Sequence, residues 1–346
     1  MVEQLTESEV EVAGGRGLPK PPWTARLRDS RAFLGRNGVF FPFVLVTLAC
    51  IGFVPSFVSE SNLVNVLINA SIMAIIGYGM TMVIALRGLD LSVGSVQGLV
   101  ACVAASLIGA GGLGMGVIGG ILVGALIGII NGVLIAYLKI PSFVATLGAM
   151  GIVRGIALLV AGGGVIDGSD PILGQLTSGR ILGIPVPLLV ALVLLAISHT
   201  VLQYTAYGRH VCAVGGSPEA AGDSGINVRL VTLVTFAVSG LYAGIGGILL
   251  TSQLGTVNGS LGTGLELQII AIAVLGGTSL AGGSGNLVGT FIASALLAMI
   301  ASGLNLMNVP SFYQYLTVGL LLIMALSLDS AGRRIQKKRL LKVSSQ

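Results

Sequence analysis

Charged residues are scarce in this sequence of 346 amino acids. Asp, Glu, Lys and Arg together make up 9% of the chain, whereas a soluble domain has roughly 25%. So little polar surface cannot cover a soluble globule of this length. The charge-free run at residues 267–328 is too long for one membrane span, which needs about 20 apolar residues. The composition therefore indicates an all-α, polytopic membrane protein embedded in lipid.

The side chains that enzymes use are also sparse. No Gly-Lys pair occurs, so the lysine of a nucleotide-binding Walker A loop is absent. The two histidines, His199 and His210, do not have metalloprotease spacing, and Cys50, Cys102 and Cys212 lack metal or disulfide spacing. The sequence therefore predicts no catalytic residue, no metal site and no cofactor, and it argues against an intramembrane enzyme.

Ten membrane spans are predicted, and the eighth is short and interrupted by glycine, which is typical of a broken or re-entrant helix. They cover residues 36–55, 63–86, 91–109, 115–138, 142–162, 184–204, 229–252, 266–280, 286–304 and 310–329. An even number places both termini on one side. Residues 1–35 are predicted to be a mostly disordered tail, residues 36–330 the transmembrane domain, and residues 331–346 a basic tail.

The net charge of +5 is interpreted as topology rather than nucleic-acid binding. If both termini are cytoplasmic, 16 of the 18 basic residues lie inside, as the positive-inside rule requires. Arg87, Lys139, Arg209 and Arg229 come from three separate internal loops and agree with this orientation. Arg180 falls outside. The distribution predicts a multi-pass protein with both termini in the cytoplasm.

Residues 207–229 form the longest polar segment between two apolar ones. Ser217 suits a helix N-cap, Pro218 the first helical position, and Glu219 the positive end of the helix dipole. Ala220 and Ala221 continue the turn, Gly222 or Gly225 ends it, and Gly215 and Gly216 permit backbone conformations that bulky residues resist. The pattern favours a short docking helix, with a solvated loop as the alternative.

Three strings carry a family resemblance. They are GR-x3-AVGG-x2-EAA-x2-SGINV within residues 207–229, GLDLSVGS at residues 88–95, and LGGTSLAGGSGNLVGT at residues 275–290. Together they resemble sugar permeases of ATP-binding-cassette (ABC) importers of the ribose/xylose/arabinose type, over residues 40–329. The nearest alternatives are a permease for branched-chain amino acids or another small polar solute, and an ion-coupled secondary transporter. The almost carboxylate-free spans argue against the last.

The resemblance implies a type II importer-like fold in the bacterial inner membrane and three partners. These are a cytoplasmic ATP-binding subunit, an external sugar-binding protein and a second permease subunit, most simply a copy of the same chain. It further implies that residues 207–229 are the coupling loop in a groove of the ATPase. The loop residues singled out are Arg209, Gly215, Gly216, Glu219, Ala220, Ala221 and Gly225.

Glycine recurs every fourth residue in the fourth predicted span. The set is Gly116, Gly120, Gly124, Gly128 and Gly132, and Gly240 and Gly244 repeat the spacing in the seventh span. On a helix such residues form one slowly drifting stripe that lets a neighbouring backbone approach closely. The pattern predicts tight helix packing.

Several polar residues are candidates for the translocation path. Asp90, Ser92 and Ser95 follow the second span, where they either face the path or form a turn in which Asp90 caps the third span beside Arg87. Arg154 lies within the fifth span, where a charge is costly. It either reaches sugar hydroxyls, or forms an ion pair, or bonds to carbonyls of a broken helix.

Asn62, Asn65 and Asn69 have helical spacing on the second span, and they either line a polar path or bridge helices. The predicted outside segments at residues 162–183 and 252–266 are candidate contacts for the external binding protein.

Overall fold

The computed structural model describes residues 39–310, together with positions 312, 313, 316, 317, 319, 320 and 323. The two predicted tails, the chain termini and most of the tenth predicted span lie outside the described residues. Within them the chain is helical, with two short two-stranded ribbons that the sequence did not predict.

The helices follow one another along the chain with few long connections. They are α1 (Phe40–Phe53), α2 (Glu60–Ala85), α3 (Val93–Gly111), α4 (Leu113–Ala136), α5 (Ser142–Val160), α6 (Pro171–Ser178), α7 (Val186–Tyr204), α8 (Ala206–Gly216), α9 (Pro218–Asp223), α10 (Val228–Leu254), α11 (Leu265–Leu275) and α12 (Leu287–Leu306). The strands are β1 (Val165–Asp167), β2 (Arg180–Ile181), β3 (Ile184–Pro185) and β4 (Thr256–Asn258). Strand β1 pairs antiparallel with β4, and β2 with β3.

Seven helices are long and apolar enough to cross a membrane, namely α2, α3, α4, α5, α7, α10 and α12. This confirms the all-α, polytopic prediction. The first and eighth predicted spans correspond to shorter apolar helices, α1 with 14 residues and α11 with 11. Helix α11 starts after Gly264 and ends at Gly276, so it is too short to cross a bilayer alone. The count of ten spans stays a prediction.

Helix α2 lies at the centre of the bundle. Its side chains Ile75, Ile76 and Tyr78 are fully buried, as is Phe236 of α10, which packs in the same core. Helices α4, α5 and α7 instead keep apolar residues such as Leu122 exposed. An apolar surface of this kind is suited to lipid, and the buried central helices are suited to protein contacts.

The glycine stripe of α4 packs tightly, as predicted, with Gly116 against α3 and Gly124, Gly128 and Gly132 against α10. A Cβ built on Gly124 would lie 2.7 Å from the carbonyl oxygen of Gly240 and 2.9 Å from the Cα of Gly244. A Cβ on Gly128 would overlap the carbonyl oxygen of Phe236. Backbone therefore packs directly on backbone along this interface, which leaves no room for a methyl group.

The connections between helices collect at two ends of the bundle. We call the first the motif end, and it holds Ala85, Tyr137, Arg229 and Gly283. Here Gly283 N–H donates to the Ala85 carbonyl (2.8 Å), and the Arg229 guanidinium lies 5.9 Å from the centre of the Tyr137 ring. At the second, the cavity end, β1 pairs with β4. An ion pair there joins Arg180 to Glu60. The two ends separate the candidate functional residues into two groups.

Candidate functional site

The cavity end holds an open cavity of about 660 Å³ among α2, α10, α11 and α12. We call it the amide cavity because carboxamide side chains dominate its polar lining. Those amides are Asn62, Asn65, Asn69, Gln253, Gln268 and Asn305. Ser302, Thr317 and aliphatic residues complete the wall. Since an amide both donates and accepts hydrogen bonds, this surface is suited to a neutral ligand rich in hydroxyl groups.

The three asparagines of α2 divide between the two predicted roles. Asn62 is buried and bridges helices, because Ser302 Oγ donates to its Oδ1 (2.6 Å) and its Nδ2 donates to the Phe57 carbonyl (2.8 Å). Asn65 and Asn69 are exposed on the cavity wall. Asn69 also accepts a hydrogen bond from Gln253 Nε2 (3.2 Å). Helix α2 therefore carries one asparagine that bridges helices and two that are exposed on the cavity wall.

Sequence reasoning missed Gln253, Gln268 and Asn305. Each is a single amide in an apolar stretch of a different helix, so no periodic pattern marks it. They share a site with Asn69 because α10 and α12 both end, and α11 begins, close to where α2 begins. A lone amide in an otherwise apolar span was the one available signal, because such a group is costly in lipid.

Asp90 does not line the amide cavity. It is buried, and its Oδ1 accepts from Ser92 N–H (3.0 Å) and Ser92 Oγ (2.6 Å), while its Oδ2 accepts from Ser239 Oγ (2.8 Å). Asn131 Nδ2 in turn donates to Ser92 Oγ (2.9 Å). The carboxylate thus joins the turn before α3 to α4 and α10.

The predicted N-cap role for Asp90 is wrong. Helix α3 begins at Val93, two residues later than the predicted span, so Ser92 holds the N-cap position and makes no side-chain cap hydrogen bond. Asp90 closes an Asx-type turn onto the residue two positions ahead. Ser95 is also buried, and its Oγ has no hydrogen-bond partner among the described residues. Asp90, Ser92 and Ser95 are buried in this chain, and their place on a translocation path stays a prediction.

Arg154 bonds to backbone carbonyls, but these belong to a non-helical segment and not to a broken helix, as one of its three predicted roles had it. Its Nη1 donates to the carbonyl oxygen of Gly259 (2.9 Å) and to that of Leu261. Both carbonyls belong to the segment between β4 and α11. Gly98 of α3 lies against the same segment, since a Cβ there would overlap the Leu261 carbonyl. The guanidinium therefore holds this non-helical stretch in place.

Two of the three strings that carry the family resemblance, those in residues 207–229 and 275–290, pack together at the motif end beside the end of α2. Gly282 and Gly283 of the third string have φ values of 82° and 80°, a left-handed conformation that glycine adopts without steric cost. A Cβ on Gly282 would lie 2.7 Å from Cβ of Arg87 and 2.5 Å from the carbonyl oxygen of Gly215. The glycine-rich string is thus a turn that packs the 207–229 segment against the end of α2.

The short helix predicted in residues 207–229 is present as α9. Ser217 is its N-cap and accepts from Ala220 N–H (3.3 Å), and Pro218 holds the first helical position. Gly225, with φ of 83°, ends the helix. Gly225 N–H donates to the Gly222 carbonyl and Ile226 N–H to the Ala221 carbonyl, which is the Schellman pattern. Both predicted caps are confirmed.

The side chains of this segment divide into an exposed set and a buried set. Arg209, Gly216, Glu219 and Ala220 are exposed, whereas Gly215 and Ala221 are buried against the bundle. Tyr207 is also anchored, since its hydroxyl lies 2.8 Å from Thr235 Oγ1 of α10. Burial raises the pKa of the Tyr207 phenol and of the Cys212 thiol, so both stay neutral near pH 7. An exposed helix on a fixed base is suited to docking.

Gly215 and Gly216 were predicted to be needed for backbone conformations that bulky residues resist, and this prediction is wrong. Both lie in α8, and neither has a positive φ. Thr205 caps this helix by accepting from Gly208 N–H, which lets helical structure extend through the glycines. Gly215 is needed for space, because a Cβ there would overlap the Ala85 carbonyl. Gly216 has no atom within 4 Å of the equivalent position.

The family model described as "Branched-chain amino acid transport system / permease component" matches residues 62–326. The ribose import permease protein RbsC of Bacillus subtilis is 39% identical over 83% of this chain and 90% of its own length. That of Haemophilus influenzae is 36% identical over 83% and 91%. The autoinducer 2 import system permease protein LsrC of Escherichia coli O157:H7 is 37% identical over 84% and 85%. No solved structure matches the chain.

Proposed function

This chain belongs to the permease family of ABC importers, and on that premise we propose that it carries a monosaccharide of the ribose, xylose or arabinose class through the amide cavity. As a permease it is a multi-pass protein of the bacterial inner membrane and is not an enzyme. ABC importers of this kind work with an ATPase and an external binding protein. The proposal concerns the solute, the assembly and the topology.

The uncharged amide lining carries the proposal for the solute. Among the described residues that line the amide cavity, none is Asp, Glu, Lys or Arg. A branched-chain amino acid carries an ammonium and a carboxylate, and removing either from water is costly without a charged partner. Sugar hydroxyls need donors and acceptors in equal measure, and amides supply both. The cavity therefore favours a neutral sugar over the amino acid in the family model's description.

The exposed asparagines of α2 support a second permease subunit. Asn65 and Asn69 are exposed on a membrane-spanning helix. Polar side chains at such positions usually face a bundle interior or water rather than lipid. We therefore place a second copy of the chain across the open side of the amide cavity. The two amide surfaces then enclose one path, and a homodimer supplies both from a single sequence.

The solute proposal is tested by uptake in proteoliposomes holding the complete importer. We expect uptake of D-ribose, D-xylose or L-arabinose and none of L-leucine. Gln268→Leu should lower sugar uptake roughly two- to tenfold, since one hydrogen bond contributes about 0.5–1.5 kcal/mol, and Gln268→Asn should retain most of it. Gln203→Leu is the matched control, because Gln203 is exposed on α7 and is not among the residues that line the cavity. Uptake of L-leucine without sugar would contradict the proposal.

We further propose that the chain crosses the membrane ten times, with both termini and the motif end in the cytoplasm. The loops of that end carry Arg87, Lys139, Arg209 and Arg229, in accord with the positive-inside rule. The cavity end then faces outward, with Glu60, Asp167, Asp170 and Arg180 in its loops or at their edges. A binding protein would meet the amide cavity there, and an ATPase would meet α9.

Thiol labelling checks this orientation. Native Cys212 is a poor probe, because it is half-buried and burial raises its thiol pKa. With Cys50, Cys102 and Cys212 replaced by alanine, we expect an impermeant maleimide to label Leu182→Cys in intact cells, since Leu182 is 98% exposed. Gly222→Cys, exposed on α9, should be labelled in inverted vesicles alone. Labelling of Gly222→Cys in intact cells would reverse the proposed orientation.

A further inference from the structure

A second, smaller cavity adjoins the amide cavity. It has a volume of about 220 Å³, and we call it the side cavity. Its own wall includes Gln97 of α3 and the Leu261–Thr263 segment. Four residues line both cavities, namely Asn69, Met73, Gln253 and Gln268. We call these four residues, which lie where the two cavities adjoin, the partition.

One hydrogen bond crosses this partition. Gln253 Nε2 of α10 donates to Asn69 Oδ1 of α2 (3.2 Å). Asn69 is held in register by its own Nδ2, which donates to the Asn65 carbonyl one turn earlier (3.0 Å). Its Oδ1 is therefore presented to α10. The pair joins two spanning helices through neutral groups that a hydroxylated solute can replace one for one.

We propose that the Asn69–Gln253 pair is a gate between the two cavities, opened when sugar hydroxyls take over its hydrogen bond. This inference rests on the proposed function, because it names how that solute moves on from the amide cavity. Exchange of one neutral hydrogen bond for another has a small net free-energy change. A solute without hydroxyls cannot make the exchange and leaves the gate closed. The pair therefore selects for hydroxylated solutes without binding them tightly.

The far wall of the side cavity is held more firmly than the partition. Arg154 Nη1 donates to the carbonyl oxygens of Gly259 and Leu261, and hydrogen bonds to a charged group are the stronger kind. Gly262 also lies against α3, where a Cβ would overlap the Gly94 carbonyl. Movement is thus easier at the single amide bond than at the opposite wall. Arg154 acts here as a positioning residue.

A reversible cross-link tests the gate. The variant carries Asn69→Cys and Gln253→Cys, with the three native cysteines replaced by alanine, in the complete importer in proteoliposomes. A short bis-methanethiosulfonate should reduce D-ribose uptake to background, and dithiothreitol should restore it. The matched control is Thr47→Cys with Met299→Cys. That pair also joins two helices, α1 and α12, through one hydrogen bond (3.5 Å), and neither residue is among those that line the amide cavity or the side cavity.

The outcomes separate the gate from the proposed function. Unchanged uptake after cross-linking the gate pair, or equal loss with the control pair, overturns the gate. If the unmodified importer carries no sugar at all, the proposed function fails instead.

A labelling measurement stands apart from transport. Gln97→Cys, in the cysteine-free chain, should react several-fold faster with a small impermeant thiosulfonate when Gln253→Ala opens the partition. Gln175→Ala should leave the rate unchanged. Equal labelling rates with and without Gln253→Ala would show that the pair separates nothing.

Discussion

Replacing Gly128 with leucine is expected to abolish the accumulation of folded permease. A Cβ at this position would overlap the Phe236 carbonyl oxygen and lie 3.0 Å from the Cα of Ala237. Both obstacles are backbone atoms of α10, so no side-chain rotation relieves the clash. Overpacking a core costs typically 1–3 kcal/mol, and we expect about the top of that range because a helix must move. The checks are the yield of monodisperse protein in detergent and its Tm.

Gly114→Leu is the control for this prediction. Gly114 lies on the same helix, and nothing lies within 4 Å of its would-be Cβ. The two variants share composition and helix propensity, so they differ in contact with α10 alone. Equal yield and equal Tm for both would contradict tight backbone packing at the α4–α10 interface. It would then follow that α4 packs less closely than the glycine contacts indicate.

The sequence was sufficient for features that depend on local pattern. A glycine every fourth residue predicted the tight packing of α4, and Ser217, Pro218 and Gly225 predicted both ends of α9. Each of these follows from a helix period or a capping preference, which act within a few residues. These predictions succeeded because the interactions behind them act between residues close together in the sequence.

Features that depend on tertiary neighbours could not be predicted in the same way. Asp90 has the pattern of an N-cap, but Ser239 lies 149 positions away and bonds its carboxylate inside the core. The reason for Gly215 is the Ala85 carbonyl, and nothing near Gly215 in the sequence indicates it. The amide cavity likewise exists because helix ends meet. Helical spacing in the sequence indicated Asn69 as a candidate, whereas Gln253 and Gln268 join the cavity wall only through tertiary packing.

Because Gly215 packs against the Ala85 carbonyl, a substitution at Gly215 cannot by itself test whether α9 docks on an ATPase. A substitution there meets the Ala85 carbonyl and the backbone nitrogen of Gly283, 2.8 Å from the would-be Cβ. Gly215→Trp is thus expected to lower the amount of folded permease whether or not an ATPase docks nearby. Gly216 and Glu219 are exposed, and Gly216 has open space around its Cβ position. Substitutions at Gly216 and Glu219 therefore test docking without disturbing the packing of the bundle.

Gly216→Trp combined with Glu219→Arg is expected to abolish sugar uptake and to prevent co-purification of the ATPase. The tryptophan adds bulk just before α9, and the introduced arginine places a cation in the first turn, where the helix dipole favours an anion. Ala221 and Ile226, which pack α9 against the bundle, and the Schellman bonds that end α9 are untouched, so permease yield and Tm should not change. The control, Gly174→Trp with Gln175→Arg, alters short helix α6 at the opposite end, where a Gly174 Cβ also meets open space. That control should retain ATPase recovery, and its uptake is not compared because residues 162–183 are candidate contacts for the external binding protein. If the α9 variant retains both uptake and ATPase recovery, α9 is a solvated helix, and ATP-driven movement must enter the bundle through another surface of the motif end.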